Sequence, residues 1–363
     1  MRSARTMALV ATLAVGCHRE PTTIRKPDDR DVSVRAPGAA VRASTVQLAL
    51  GRYHACALAS DGSVRCVGRN DYGQLGDGTV EDRSRAVRVR GLGDAVEVAV
   101  GDYHSCVRRI DRTVSCWGYN ATGQLGDGSR VDRGAPWPVA GLEMIEELAL
   151  GAHHSCARTS EGIVWCWGYA GDGEVGDGGT LDRPRPARAR LEGARRIVAG
   201  SYHTCALLGG DEVRCWGSNM AGQLGDGTMT NRAEPVRVRG LRRVHDVALG
   251  FAHSCAKGDE GTMRCWGANF QAQLGDGTRD AQTEATPVPG LRDVRSMALG
   301  FAHTCALTLK GRVRCWGDVR APLDHELVGV SNVAAAGATT CWSTTTGASR
   351  CDGWDFYERL LVP

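Results

Sequence analysis

The chain has 363 residues, with 44 basic and 41 acidic side chains, a formal net charge of +3, 48 glycines and 15 cysteines. This length allows two or three ordinary domains or one large repeat assembly. The balanced charge gives no reason to expect a nucleic acid or an anionic membrane surface as partner. We therefore predict neither nucleic-acid binding nor membrane contact through surface charge.

The first seventeen residues have the composition of an export leader. Two arginines precede the apolar run MALVATLAV, which is too short to span a membrane. The run up to Cys17 looks like a bacterial lipoprotein cleavage site, although Leu13 lies four residues before the cysteine instead of three. We predict a lipoprotein-type signal peptide over 1–17, lipidation of Cys17 and a flexible polar tether over 18–31. A plain secretory leader is the alternative.

The rest of the chain repeats one unit about every fifty residues. It is clearest over 200–239, which reads GSYHTCALLGGDEVRCWGSNMAGQLGDGTMTNRAEPVRVR. Each copy holds four strand-like runs of alternating and β-branched residues, separated by glycines. Four antiparallel strands in each of seven copies predict an all-β, seven-bladed β-propeller over 32–363. The copies open at Gly51, Gly101, Gly151, Gly200, Gly250 and Gly300, with a shorter copy from Gly337.

The runs within a copy predict where its strands lie. The second run begins at a histidine, and the fourth has the pattern P-V-x-V-x-G, as in 235–240. A closed ring needs a terminal strand to complete its last blade and to hide the sheet edges. Val32 to Gly38 and Tyr357 to Val362 are both candidates, and the choice stays open. An open solenoid of the same blades is the alternative to closure.

Fourteen cysteines form seven pairs, each separated by ten residues. In the first copy, a three-residue hairpin loop at 60–62 places Cys56 directly opposite Cys66, and glycine ends this loop in five of the seven copies. Directly opposed Cβ atoms lie about 4.5–5.5 Å apart, near the span of a disulfide. We therefore predict one disulfide within the hairpin of each blade. The pairs are Cys56–Cys66, Cys106–Cys116, Cys156–Cys166, Cys205–Cys215, Cys255–Cys265, Cys305–Cys315 and Cys341–Cys351.

In six copies a histidine lies two residues before the first cysteine of the pair. Metal binding is the rival interpretation of these residues, but a ten-residue cysteine spacing does not match the usual Cys-x-x-Cys knuckles. We predict that the histidines are hydrogen-bonded wall residues and that the chain binds no metal and no cofactor. The tryptophans that follow the second cysteines are predicted to pack between blades. The histidines are His54, His104, His154, His203, His253 and His303.

The same residues carry a family resemblance. The motifs G-x-x-H-S/T-x-A-L, V-x-x-W-G and G-Q-L-G-D-G resemble the regulator of chromosome condensation repeats, above all the cysteine-containing bacterial version. The resemblance implies a seven-bladed propeller over nearly the whole mature chain. Departures are Glu174-Val175, Ala272 and the absence of the third motif after Trp316. Near-copies of the third motif lie at 73–78, 123–128, 173–178, 222–227 and 272–277.

The resemblance does not assign one activity. The best-known eukaryotic members of the family bind chromatin and promote nucleotide exchange on a small GTPase. Neither role suits an exported chain with almost balanced charge. Bacterial extracellular relatives include proteins that bind and inhibit other proteins, which is an analogy at the level of the fold.

The turn after each opening glycine carries an aromatic residue in six copies. In a propeller these turns share one face with the loops between third and fourth strands, and the first strands line the central channel. We predict that the aromatic side chains surround the channel mouth and bind a partner, since such residues are common anchors of protein interfaces. Packing against neighbouring turns alone is the alternative. The six residues are Tyr53, Tyr103, His153, Tyr202, Phe251 and Phe301.

The long loops on the same face carry an aspartate followed six residues later by an arginine in four copies. We predict that these pairs are ion pairs that hold each loop, because one carboxylate per loop is not the ligand set that calcium needs. The loop of the third copy, with Tyr169, Asp172 and Glu174, is the most acidic. The four pairs are Asp77 with Arg83, Asp127 with Arg133, Asp177 with Arg183 and Asp226 with Arg232.

No set of carboxylates, histidines and serines breaks the repeat symmetry in the way that a catalytic site would. We predict no enzymatic activity, and a lipid-anchored or otherwise exported propeller whose loop face binds a protein at the cell envelope. The anchor would place it on the outer membrane or cell surface, and a plain leader would make it secreted or periplasmic. The alternatives are a binder of polysaccharide or peptidoglycan and an extracellular hydrolase or lyase that uses the channel.

Overall fold

The computed structural model describes residues 45–319, 329–344 and 349–353. Over these ranges the chain forms seven consecutive antiparallel sheets. No helix in the same ranges is both long enough and apolar enough to cross a membrane. The predicted leader, Cys17, the tether 18–31 and both candidate closing strands, Val32 to Gly38 and Tyr357 to Val362, lie outside the described residues.

Each sheet is one blade, and its strands follow in chain order. The first blade holds β1 (Thr45–Leu50), β2 (His54–Ala59), β3 (Val64–Gly68) and β4 (Arg83–Arg88), and the second holds β5 (Ala95–Val100), β6 (His104–Arg109), β7 (Val114–Gly118) and β8 (Arg133–Pro138). The third holds β9 (Ile145–Leu150), β10 (His154–Thr159), β11 (Val164–Gly168) and β12 (Arg183–Arg188), and the fourth holds β13 (Ala194–Ala199), β14 (His203–Leu208), β15 (Val213–Gly217) and β16 (Arg232–Arg237).

The fifth blade holds β17 (Asp246–Leu249), β18 (His253–Lys257), β19 (Met263–Gly267) and β20 (Gln282–Pro287). In the last two blades the structure describes three strands each, which are β21 (Val294–Leu299), β22 (His303–Thr308) and β23 (Val313–Gly317), then β24 (Val330–Ala336), β25 (Thr339–Thr344) and β26 (Ser349–Asp352). Short 3₁₀ turns at Gly209–Asp211 and Asp259–Gly261 connect the hairpins of the fourth and fifth blades.

The second and third strands of each blade form the hairpin that the cysteine spacing predicts. In the first blade Cys56 lies opposite Cys66, the Ala59 amide donates to the Ser63 carbonyl at 2.8 Å, and Gly62 has a φ of 76°. All seven predicted disulfides are present, with Cα–Cα distances of 4.0 to 4.1 Å. The hairpin turn therefore sets the register, and the register brings the sulfur atoms together.

The fourth strand begins earlier than its sequence pattern predicts. In the fourth blade it spans Arg232–Arg237, whereas the pattern placed it at 235–240. A bulge near the end of β15 lets Gly217 pair with the first residue of this strand. Beyond the strand, the Arg239 amide donates to the Gly225 carbonyl of the long loop at 2.8 Å. The prediction was therefore wrong by three residues, because the loop takes over the backbone hydrogen bonds that an extended ladder would have made.

One apolar cluster fills each of the seven interfaces between neighbouring blades. Between the first and second blades it contains Leu58 and the fully buried Trp117, as predicted for the tryptophans. The seventh and first blades share a cluster that contains Cys341 and Leu48. Because this last interface is packed like the others, the propeller is closed and is not an open solenoid.

Candidate functional site

The opening glycines surround the central channel, where the blades approach most closely. A Cβ atom on Gly101 would lie 2.4 Å from the Gly151 carbonyl oxygen, and one on Gly200 would lie 2.6 Å from that of Gly250. No other residue fits at such distances, so the recurring glycine is a packing requirement. The channel encloses a cavity of about 110 Å³. The residues that follow the glycines line its mouth, namely Arg52, Asp102, Ala152, Ser201, Phe251 and Phe301.

The six aromatic residues predicted at the channel mouth form one continuous series, which we call the aromatic arc. Consecutive ring centroids lie 4.3 to 6.3 Å apart. These distances allow direct ring contact in stacked, tilted and edge-on arrangements. The successive pairs are Tyr53–Tyr103, Tyr103–His153, His153–Tyr202, Tyr202–Phe251 and Phe251–Phe301. The structure thus brings all six together, and their role in partner binding stays a prediction.

The arc has two tiers, which could not be distinguished from the sequence pattern. Phe251 and Phe301 directly follow their opening glycines and line the cavity, whereas Tyr53 and Tyr202 lie one residue later and outside it. The outer members are partly buried, and Phe301 is 39% exposed. The mouth is therefore aromatic at the fifth and sixth blades and carries charged or small residues at the first four.

Arg52 closes the arc into a complete ring beside the seventh blade. Its guanidinium carbon lies 5.1 Å from the centroid of Tyr53 and 5.1 Å from that of Phe301, within the range of cation–π attraction. The seventh blade has Gly337-Ala338 at the equivalent turn and supplies no ring there. Arg52 is the one arginine that follows an opening glycine, and this is the signal in the sequence that marks it.

Two tyrosines from the long loops widen the aromatic surface over the first two blades. Tyr72 lies 5.8 Å from Tyr103 and 4.7 Å from Tyr119, and Tyr119 lies 5.8 Å from His153. These contacts confirm that the short turns and the long loops share one face. Neither tyrosine was predicted as a site residue, because neither recurs at its position in every copy.

The four predicted ion pairs hold the long loops. Asp77 and Arg83 are 2.9 Å apart, and the pairs in the next three blades are 2.6 to 2.9 Å apart. The Asp77 carboxylate also accepts from the amide and hydroxyl of Thr79 at 2.9 and 2.7 Å. Against the effect of burial, these hydrogen bonds and Arg83 lower the pKa of Asp77. The aspartates are thus committed to their own loops, which agrees with a structural role.

An asparagine that the sequence analysis missed is at the centre of the same loops. The Asn70 side-chain amide donates to the Thr79 carbonyl at 3.0 Å, and its side-chain oxygen accepts from the Leu75 amide at 2.9 Å. Asn120, Asn219 and Asn269 make the equivalent bonds. Their recurrence four residues before the GQLGDG glutamine could have indicated this role. The loops are therefore rigidly cross-linked platforms for the face that carries the arc.

The six histidines tie each of the first six blades to the next. Each Nε2 atom lies 2.7 to 2.9 Å from a hydroxyl oxygen of the following blade. The Ser105 hydroxyl donates onward to the Gln74 carbonyl at 3.1 Å, so it accepts from His54, which places the proton of that histidine on Nε2. The bonds join His54–Ser105, His104–Ser155, His154–Thr204, His203–Ser254, His253–Thr304 and His303–Thr340.

Burial keeps these histidines neutral. It lowers the pKa of His54, His154, His203 and His253 to about 3, and that of His104 well below its ordinary value. This confirms the prediction that they are hydrogen-bonded wall residues. Within the described ranges, no three histidine, cysteine, aspartate or glutamate residues converge to hold a metal ion.

Three largely buried carboxyl groups, Glu97, Asp102 and Glu174, have pKa values that burial raises. Burial raises the pKa of Asp102, at the channel mouth, to about 6, although Arg52 acts in the opposite direction. It raises the pKa of Glu174 to about 8, and Asp172 and Asp182 act in the same direction. Burial raises the pKa of Tyr202, and Asp102 and Glu174 both act in the same direction. Both carboxyls therefore lie near enough to this member of the arc to act on its ionisation.

A family model for the RCC1-like domain matches residues 14–321, which is most of the chain. The chain belongs to the RCC1-like domain family. The family resemblance drawn from the repeat motifs is thereby confirmed, and so is the seven-bladed propeller. As an RCC1-like propeller, the chain has the fold of a protein-interaction module. A search of the curated proteins found no match.

Solved structures show the same fold. Prp20p from Saccharomyces cerevisiae is 21% identical, with a TM-score of 0.69 over 82% of this chain and 81% of that one. The yeast protein in complex with Kap60 gives a TM-score of 0.72 at 21% identity, over 88% and 83%. The CRINKLY WD40 ectodomain of the receptor kinase ACR4 from Arabidopsis thaliana is 20% identical, with a TM-score of 0.56 over 86% and 98%. At these identities the likeness concerns the fold alone.

Proposed function

We propose that this RCC1-like propeller is an exported, non-catalytic protein-binding module, anchored at the cell envelope through Cys17. The aromatic arc, together with Arg52, would hold the protein partner. The observation that carries the proposal is the continuity of this ring around the channel mouth. Large, rigid rings that stay partly exposed at the centre of a face can bury much surface at little entropic cost.

Two further observations support the proposal. The rigid loops keep the arc in place, so binding would cost little reorganisation of this chain. Prp20p binds Gsp1p and histones, which shows that a propeller of this fold can hold other proteins. A non-catalytic role is supported by the histidine rows, which are buried, neutral and bound through Nε2 to hydroxyls of the next blade.

Export is proposed from the disulfides and the leader. Seven disulfides form and persist in oxidising compartments and are rare in the cytosol. The ectodomain of ACR4 is an extracellular domain with the same fold. To test the anchor, a Cys17→Ser variant is fractionated with membranes and weighed by mass spectrometry. Retention on membranes without a change in lipid mass would contradict lipidation of Cys17.

The binding proposal is tested by a crosslinking pull-down from envelope extract. Intact protein is compared with Tyr53→Ala/Tyr103→Ala/Tyr202→Ala. The matched control is Ile110→Ala/Leu309→Ala, because these side chains are 74% and 69% exposed on hairpin turns away from the arc. We expect intact protein and the control to capture the same protein and the triple variant to lose it. Equal capture by all three would place the site elsewhere.

The same variants also test whether the ligand is a polysaccharide and not a protein. A glycan array probed with intact protein and with the triple variant reports binding without turnover. Binding of a glycan that depends on the arc, with no protein captured, would replace the protein partner by a polysaccharide or peptidoglycan ligand. Turnover of such a ligand would favour the extracellular hydrolase or lyase.

A further inference from the structure

Arg52 is the least satisfied charged group of the channel mouth. Its guanidinium lies between the rings of Tyr53 and Phe301 and lines the cavity. Among the described residues, no salt bridge or hydrogen bond holds this guanidinium. Burial raises the pKa of the nearby Asp102 carboxyl, and the charge of Arg52 acts in the opposite direction. Its N–H donors are therefore available to a ligand that enters the cavity.

The chemistry of this group favours a carboxylate. A planar guanidinium binds a planar carboxylate through two parallel hydrogen bonds. Among the described residues, Arg52 is the only cation that lines the cavity, and Asp102 lines it too. A doubly charged phosphate would therefore meet one cation and a neighbouring acid, whereas a carboxylate needs only one positive charge.

The lining of the cavity also indicates which kind of group adjoins the carboxylate in the ligand. Phe251 and Phe301, whose centroids are 4.3 Å apart, form the apolar wall next to the guanidinium. A cavity of about 110 Å³ can admit part of one side chain or a chain end, but not a folded segment. The matching group is a carboxylate next to an apolar or aromatic side chain.

We propose that Arg52 binds a carboxylate of the protein partner in the channel mouth, while an adjoining apolar or aromatic side chain packs against Phe251 and Phe301. The carboxylate belongs either to an acidic side chain or to the carboxyl terminus of the partner. This inference rests on the proposed function and adds the chemistry of the central contact.

Two small probes that differ only in the carboxylate test the inference on the full-length chain. N-acetyl-phenylalanine and N-acetyl-phenylalaninamide are titrated separately into protein labelled with ¹⁵N-arginine, and the Nε–Hε signals are followed by NMR. The Arg52 signal is assigned from its loss in Arg52→Gln. We expect the acid to shift this signal and to bind at least about ten-fold more tightly than the amide. Equal affinity of acid and amide would overturn the proposal.

Two variants with opposite expected effects separate ligand binding from a merely structural role. Arg52→Gln should weaken binding of the acid at least about ten-fold. Asp102→Asn should tighten it by about three-fold, because it removes a negative charge from the same cavity. A shared loss in both variants, or unchanged binding in Arg52→Gln, would contradict the proposal. A peptide with a glutamate and an amidated end, compared with one ending in free phenylalanine, then identifies the source of the carboxylate.

Failure of this inference can be told from failure of the proposed function. If the triple variant loses a captured protein but the acid and the amide bind alike, the protein-binding role stands and the carboxylate contact is wrong. If the acid binds through Arg52 but no protein is captured, the cavity is a carboxylate site and the proposed function fails.

Discussion

Glu174 is one of the single residues at which this propeller departs from its repeat. Glu174 takes the place of a glutamine in the third long loop and is fully buried. Its carboxyl accepts from the Asp172 amide at 3.0 Å, as the Gln74 side chain does from the Tyr72 amide at 2.9 Å. With its pKa raised to about 8, Glu174 is protonated at neutral pH and acts as a substitute for glutamine.

Replacing this residue should stabilise the protein in alkaline solution. The folded-state pKa of Glu174 is about 8 and the ordinary value is 4.5, so its stability contribution falls as the pH rises from about 4.5 to 8. Glu174→Gln should therefore add about 1–3 kcal/mol at pH 8 and almost nothing at pH 4. Calorimetric Tm values at both pH values check this. A gain of equal size at pH 4 would show that the titration is not the cause.

Ala272 is a second departure, and it stands where four other loops have glycine. Its φ is 60°, in the left-handed region that costs an L-residue roughly 1 kcal/mol, and Gly222 at the equivalent position has a φ of 80°. Ala272→Gly should therefore stabilise the protein by about 0.5–1 kcal/mol, and Gly222→Ala should destabilise it by more than that. Thermal unfolding of both variants tests the pair. Destabilisation by Ala272→Gly would contradict the strain argument.

At the scale of the blade, the hairpin was the most predictable element. Turn length and cysteine spacing fix the same register, so Cys56 and Cys66 could be paired from the sequence. The fourth strand was less predictable, because its edge is shaped by hydrogen bonds to the preceding loop, as at Arg239. The arc could be predicted from recurring aromatics, whereas Arg52 and Tyr72 were missed because neither residue type recurs at its position in every copy.

The disulfides should each add a moderate stabilisation to one hairpin. The loop that Cys106 and Cys116 close has a separation of ten residues, for which the chain-entropy model gives about 2–3 kcal/mol. Cys106→Ala/Cys116→Ala should lower the unfolding free energy by about this amount. Denaturant unfolding under non-reducing conditions measures it, with mass spectrometry of digests to confirm that the six other pairs remain linked. An unchanged midpoint would contradict the expectation.

At the scale of the whole molecule, the histidine rows make the ring sensitive to acid. In the folded protein the pKa of His203 is about 3, and the ordinary value is 6.5. Below about pH 6.5 the histidines of the unfolded chain bind protons, whereas those of the folded ring stay neutral. The free energy of unfolding therefore decreases as the pH falls from 6.5 toward 3. The same holds for the other five histidines of the rows, whose pKa values are also lowered.

We expect a steep loss of stability between pH 6.5 and pH 5, with each histidine contributing about 1.4 kcal/mol per pH unit once it titrates in the unfolded chain. The pH dependence of the unfolding free energy gives the number of protons taken up. His203→Asn should reduce this number by one, because it removes one titrating group. An unfolding free energy that stays constant from pH 7 to pH 5 would show that these histidines also bind protons in the folded protein.

Because the blades close into a ring, the residues after the opening glycines lie together around the mouth of the central channel. The central claim is that a protein partner covers this mouth. Hydroxyl-radical footprinting of the purified protein, alone and crosslinked in envelope extract, measures that directly. We predict that oxidation of Tyr53, Tyr103, Tyr202 and Phe301 falls in the extract while that of Ile110 stays unchanged. Protection of Ile110 with the arc still oxidised would show that the partner does not cover the channel mouth.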